Sequence, residues 1–220
     1  MTLEGRTVRL EPLEPRHEEP LWAAAQDERV WRYMRIRGDA SRAVFDAWFE
    51  SALAEIPFAV VVRGGNLPVP RESPSTGPLS RTGDFVAGST SYMNIRPADR
   101  VVEIGNTWLA AGAWGTGAND EAKLLLMEHA FEHEGFLRVE FKTEAANERS
   151  RGALLAVGAT FEGIFRKHMV VRGGERRDSA WYSVIDDDWP AVKAALEQRV
   201  ARSVGRYSGV STGRFRRTRG

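Results

Sequence analysis

The chain has 220 residues, of which 42% are hydrophobic and 28% charged, enough for one globular domain with a sizeable core. It contains no Cys, which excludes a disulfide framework, a cysteine nucleophile and a thiolate zinc site. The formal charge of +1 hides an asymmetry: the stretch 199–220 carries seven Arg and no acid, leaving 24 basic residues against 30 acidic ones, a net of −6, in residues 1–198.

No apolar run approaches the roughly 20 residues of a membrane span. The segment Thr2 to Arg6 is polar and has no signal-peptide core, so a cytoplasmic protein with no membrane partner is expected. In chain order, Thr7 to Leu10 alternates as a first strand. Pro15 to Met34 has helical character and reads as two short helices. Ala40 to Leu53 is a further helix with Val44, Phe45, Trp48, Phe49 and Leu53 on one side. Phe58 to Val62 is β-branched and apolar enough for a buried strand. Residues 64–83 are rich in Pro, Gly, Ser and Thr, the composition of a long loop inserted in a hairpin, either a mobile excursion or a substrate-side lid.

Phe85 to Asn94 and Val101 to Leu109 are the next strands, joined by a turn at Arg96 to Asp99. A helix is expected from Asp120 to Glu134, with Asn119 as its cap and Asp120 and Glu121 pointing sideways in its first turn. Leu137 to Thr143 reads as a strand, Glu148 to Ala156 as a helix, Thr160 to Val171 and Ala180 to Ile185 as closing strands, and Trp189 to Val200 as a terminal helix. The domain is drawn over 1–198 and a basic tail over 199–220.

The most informative stretch is Trp114-Gly115-Thr116-Gly117-Ala118-Asn119. A strand precedes it and a helix follows, so its backbone N–H groups form a cradle for phosphate. No Lys follows the glycines as in a nucleotide-triphosphate loop, and Asp120 stands where a dinucleotide fingerprint needs a third glycine. Around it lie Glu103-Ile104-Gly105, Trp108-Leu109, Glu121-Ala122, Arg138-Val139-Glu140, Asn147 to Ser150, Val157-Gly158-Ala159 and Glu162-Gly163 with Arg166. In order and spacing this run resembles the GNAT acyl-CoA N-acyltransferases, in particular the branch of ribosomal-protein N-terminal acetyltransferases, over about residues 5 to 190. Trp114 departs from the Gln or Arg usual at its position, and Asn119 from the usual small residue.

The resemblance implies a GNAT fold of the α/β (α+β) class: a mixed, mostly antiparallel central sheet, splayed by one parallel pair, with helices on both faces. It implies acetyl-CoA as cosubstrate, no metal, and an amine acceptor, with the α-amine of a protein N-terminus favoured by the branch. Trp108, Leu109 and Ala110 would meet the pantetheine arm. Trp114, Gly115, Thr116, Gly117, Ala118 and Asn119 would hold the pyrophosphate. Asn147 and Ser150 would contact the arm and the thiol, and Trp31, Tyr33 and Met34, followed by Arg35 and Arg37, would wall the acceptor.

Acyl transfer to an amine requires a proton acceptor, a polarised thioester oxygen and a protonated leaving thiol. Glu103 is the candidate base; it shares a strand face with Leu109 if no bulge intervenes, and a solvated strand residue is the alternative. An α-amine, with a pKa of about 8 against about 10.4 for Lys, demands less of it. Many GNAT enzymes place a Tyr acid where Leu154 stands, so Ser150 is the expected proton donor, and Asn147 and Ser150 also suit helix capping. Arg149 and Arg151 are candidates for the CoA 3′-phosphate. His129-Ala130-Phe131-Glu132-His133 has the spacing of a zinc motif but reads as solvated helix surface. The Arg-rich tail is either a solubilising extension or a dock for RNA or acidic protein, and the insertion and tail are candidate homodimer elements. Other readings are acetyl or succinyl transfer to a small-molecule amine, and a non-catalytic acyl-CoA-binding or RNA-associated module.

Overall fold

A computed structural model describes residues 1–36, 41–64 and 83–208, with side chains through residue 204. Among the described residues eight strands form one sheet: β1 (Leu3–Glu4), β2 (Val8–Pro12), β3 (Ile56–Val62), β4 (Phe85–Arg96), β5 (Val101–Leu109), β6 (Arg138–Glu144), β7 (Thr160–Val171) and β8 (Glu175–Ile185). Their order is β1-β2-β3-β4-β5-β6-β8-β7. Every neighbouring pair is antiparallel except β5 and β6, which run parallel. The expected mixed sheet with one parallel pair is therefore what the chain builds.

The α-helices of the described residues cover it: α1 (Glu18–Ala24), α2 (Glu28–Trp31), α3 (Arg42–Ala52), α4 (Ala118–Glu128), α5 (Glu148–Ala156) and α6 (Trp189–Ser208). The main core packs Leu126, Met127 and Ala130 with Leu196 and Val200 against Val60, Val102, Ile104 and Phe141. A second cluster joins Leu21, Trp31, Phe45, Trp48 and Phe49 of the first three helices to Ala59, Trp108 and Ala110. Helices thus occupy both faces.

A bulge in β5 decides which side chains reach the site. Ser89 pairs with Trp108 and Ser91 with Gly105, so β5 spends one residue more than β4 over this interval, and Asn106 takes a left-handed φ of 49°. The extra residue reverses side-chain parity. Val102 and Ile104 enter the main core with Leu109, while Trp108 and Ala110 enter the second cluster. Glu103, alternating with Val102 and Ile104, consequently faces away from Leu109 rather than with it.

Helix α6 is the largest departure from expectation. It continues beyond Val200 to Ser208, because Val192, Leu196 and Val200 keep an i, i+4 stripe buried against α4. The first ten residues of the 199–220 stretch are therefore helical. Residues 65–82 of the insertion, Arg37 and residues 209–220 lie outside the described residues. The insertion's flanks meet where Gly64 N–H donates to Asp84 Oδ1 at 2.9 Å.

Candidate active site

Strands β5 and β6 share three register pairs, Val101 with Arg138, Val102 with Val139 and Glu103 with Glu140, and then separate. Beyond Glu103 the β6-facing edge of β5 has no strand partner among the described residues, so its backbone groups remain for an extended ligand. A cavity of about 680 Å³ fills the fork and is lined from both faces of the sheet.

Glu103 stands at the vertex, 1% exposed. Its Oε2 accepts from Asn94 Nδ2 and Lys142 Nζ, each at 2.7 Å. Asn94 holds a left-handed φ of 48° near the end of β4, and the Lys142 ammonium also lies 5.3 Å from the centre of the Trp181 ring. Glu103 is therefore a buried, ion-paired carboxylate rather than a solvated strand residue. Both of these donors fall on Oε2, and among the described residues no hydrogen bond is made to Oε1.

On the other side of the fork, the loop after β5 supplies the backbone cradle. Trp114 Nε1–H donates to Leu109 O at 2.8 Å and ties the loop to the strand end. The Arg149 guanidinium lies 3.6 Å from the centre of the Trp114 ring, so a cation stands beside the residue that replaces the usual Gln or Arg. Gly117, at φ 93°, is the N-cap of α4. Asn119 lies in the first turn of α4 and is not its cap, because a left-handed glycine already ends the loop one position before Ala118. A Cβ at Gly117 would lie 2.6 Å from Ser203 Cβ of α6, so close helix approach demands glycine as much as the backbone angle does.

Gly115, Gly117, Trp114 and Asn119 line the cavity. Thr116 and Ala118 are buried and are not among its lining residues; Thr116 Oγ1 braces the loop by donating to Ala113 O at 2.7 Å. Glu121 points away, accepting N–H bonds from Arg6, Thr7 and Val8. Asp120 stays at the rim, neutralised by Arg199 at 2.9 Å. Arg199, Arg202 and Ser203 of α6 reach the same rim, which a loose tail would not have supplied.

The remaining expected residues divide. Asn147 is the N-cap of α5, accepting from Ser150 N–H at 3.1 Å, and both residues also line the fork, as does Leu154. Tyr33 and Met34, just after α2, line it as well. Trp31 does not: it is fully buried, donates from Nε1 to Ala25 O at 2.7 Å, and packs against Trp48 and Trp108. Its helical spacing was that of a core residue. Trp108 and Leu109 border the cavity, whereas Ala110 spends its N–H on Ala87 O at 2.7 Å and cannot donate to a pantetheine arm. Arg151 is likewise engaged, with Tyr182 Oη and Ala145 O.

Among the lining residues that sequence reasoning missed are Lys123, Lys142, His168 and Arg177. Lys123 rises from α4 between the diverging strands, donating to Thr107 Oγ1 of β5 at 2.8 Å and lying 5.7 Å from the Phe141 ring of β6. Burial pushes its ammonium down to about 7, against an opposing pull from Glu103. The signal was present, since Lys123 shares the stripe of Met127 and Ala130 at helical spacing. Burial, then Lys142 and Arg177, push the His168 imidazole below its ordinary value. His129 is buried in a π-helical turn beside Tyr92 rather than on a solvated surface, and Glu132 is taken by Lys193 and Trp189. Among the described residues no group of His, Asp and Glu is placed to hold a metal ion, and no helix is long and apolar enough to cross a membrane.

Residues 7–160 match the family model described as an acetyltransferase (GNAT) domain. No curated protein matches the chain. Among solved structures, a GCN5-related N-acetyltransferase from Brucella melitensis is 35% identical, covering 91% of this chain and 85% of its own, with a TM-score of 0.77. A protein from T. thermophilus classed as an acetyltransferase is 37% identical over 90% of this chain and 96% of its own, with a TM-score of 0.76. The ribosomal-protein-S5-alanine acetyltransferase from Vibrio fischeri, at 17% identity, shares the fold with a TM-score of 0.61 over 86% of this chain and 98% of its own. With a forked sheet, a glycine cradle at a helix N-terminus and a family model spanning most of its length, the chain belongs to the GNAT family of acetyl-CoA-dependent acetyltransferases.

Proposed function

We propose that this enzyme acetylates the α-amine of a protein N-terminus by direct attack in a ternary complex. The observation that carries the reading is the cavity itself, open through the fork. A phosphate cradle lies toward one face of the sheet, and a buried carboxylate stands at the vertex beside an acceptor end lined by Tyr33 and Met34. The order of motifs shared with the ribosomal-protein N-terminal branch supports an α-amine, as does its modest demand for a base.

In this reading acetyl-CoA lays its pyrophosphate on the N–H groups of Gly115 to Asn119 and its arm along the free edge of β5. The amine nitrogen bonds to the thioester carbon, with its proton passing to Glu103 through water. A backbone N–H of β5 stabilises the oxyanion. The C–S bond then breaks, and the thiolate takes a proton from Ser150 or from Lys123, which stands across the fork and is near half-protonation at neutral pH.

Mass spectrometry of N-terminal peptides, free amino acids, polyamines and aminoglycosides incubated with acetyl-CoA tests the acceptor. One acetyl group on peptide α-amines, with Lys side chains spared, is expected; modification confined to a small amine overturns the reading. On the donor side, Arg202→Ala is expected to raise KM for acetyl-CoA about five- to tenfold with little change in kcat. A cation at a phosphate rim is worth about 1 kcal/mol, and the difference should shrink in high salt.

A further inference from the structure

Among the described residues, Arg177 is a buried cation with no ion-pair partner. It lies in the first half of β8, is 7% exposed and lines the acceptor end of the cavity. Its Nε is buried without a hydrogen-bond partner, and the described residues offer its guanidinium no ion pair. The two acids whose charge it feels most are Glu144 and Glu103, and both are committed elsewhere. Glu144 holds Arg172 at 2.8 Å and Glu103 holds Lys142 at 2.7 Å. Arg35 and Arg172 add positive charge around Arg177, while Lys142, His168 and Glu55 line the same cavity. A buried guanidinium left unpaired is costly, and a site that tolerates one is completed by an anion from outside.

We propose that Arg177 receives a carboxylate carried by the acceptor, which makes the preferred substrate a peptide with an acidic side chain just after its free α-amine. This rests on the N-acetyltransferase reading of the site and narrows its acceptor. Register sets the distance. Lys142 pairs with Trp181, and Arg177 stands four positions back along β8, roughly 13 Å of strand. The anion is therefore bound several ångströms from an amine held at Glu103. An acidic side chain at the second or third residue of an extended peptide has that reach. The α-carboxylate of a free amino acid, one carbon from its amine, does not.

The test compares Ala-Glu-Gly-Phe with Ala-Gln-Gly-Phe, alongside free glutamate, as acceptors for the intact enzyme and for Arg177→Met. The acidic peptide is expected to have a kcat/KM about tenfold higher, mainly through KM, as one charge-assisted bond would give. Arg177→Met should abolish that preference, bringing kcat/KM for the two peptides within about twofold of each other. The variant should melt no lower than the parent, because it removes an unpaired buried charge.

Equal use of the two peptides, or a preference that survives in Arg177→Met, overturns the proposal. Preference for free glutamate overturns the peptide assignment and the protein N-terminus together. If neither peptide is acetylated, the peptide-acceptor reading fails, and thermal shift with CoA and each peptide decides the carboxylate site separately. A rise in Tm with the glutamate peptide only, lost in Arg177→Met, supports it, and no difference between the peptides refutes it.

Discussion

Replacing Glu103 by Gln is expected to lower kcat for acetyl transfer about 100-fold at neutral pH while leaving the Kd for acetyl-CoA within about twofold. The magnitude is that of losing a positioned general base. Gln is isosteric, and the side chain is fully packed, so the change removes charge without opening a cavity. Only the end that meets Asn94 and Lys142 alters. The defect should also be pH-dependent in a particular direction. An α-amine with a pKa of about 8 loses its own proton as pH rises, so the variant should recover most of its rate by pH 9 to 9.5. A lysine acceptor would not recover there. A variant within threefold of the parent at pH 7 would remove Glu103 from the proton path. A loss that persisted unchanged to pH 9.5 would make its role the orientation of Lys142 and Asn94.

The parts of this site that were legible in the sequence are those set by local physics. The bounds of β5, α5 and β7 coincide with the sequence reading, because alternation, an Asn cap and a long β-rich run are short-range signals. The glycine cradle was legible for the same reason. The wall proposed for the acceptor was not. The sequence reading starts the last strand at Ala180, yet the charged run Glu175 to Ser179 pairs along β7 and carries Arg177 into the cavity. Pairing across a hairpin is a tertiary fact that charge composition masks. The α6 extension was hidden similarly, since Arg199 and Arg202 look like the start of a tail until Val200 is seen packing on α4. Parity along β5 turned on one bulge, which alternation cannot reveal. Trp31 went the other way: its spacing fitted a core, and the acceptor role came only from resemblance.

Lys123→Met is expected to stabilise the enzyme in acid and to lose most of that advantage in alkali. Met matches the length of the Lys stem and fills the same space beside Phe141 and Thr107 without a charge. In the folded chain the ammonium titrates at about 7, down from 10.5, because burial disfavours its charged form. Below pH 7 both states hold the proton, and the folded state bears the whole cost of a buried cation. Between about pH 7 and 10.5 the unfolded chain binds more protons than the folded one, so stability rises with pH across that window. The variant lacks this titration. The gap between variant and parent should therefore shrink by about 4 kcal/mol between pH 6 and pH 10, measured by urea unfolding at each pH. A constant gap would mean that Lys123 keeps an ordinary pKa and reaches water through the fork. Activity separates the roles of the same group: if Lys123 supplies the proton to the departing thiolate, the variant's kcat falls most below pH 7, where it is most stable. That inverse relation between stability and turnover marks a residue kept in a costly place for chemistry.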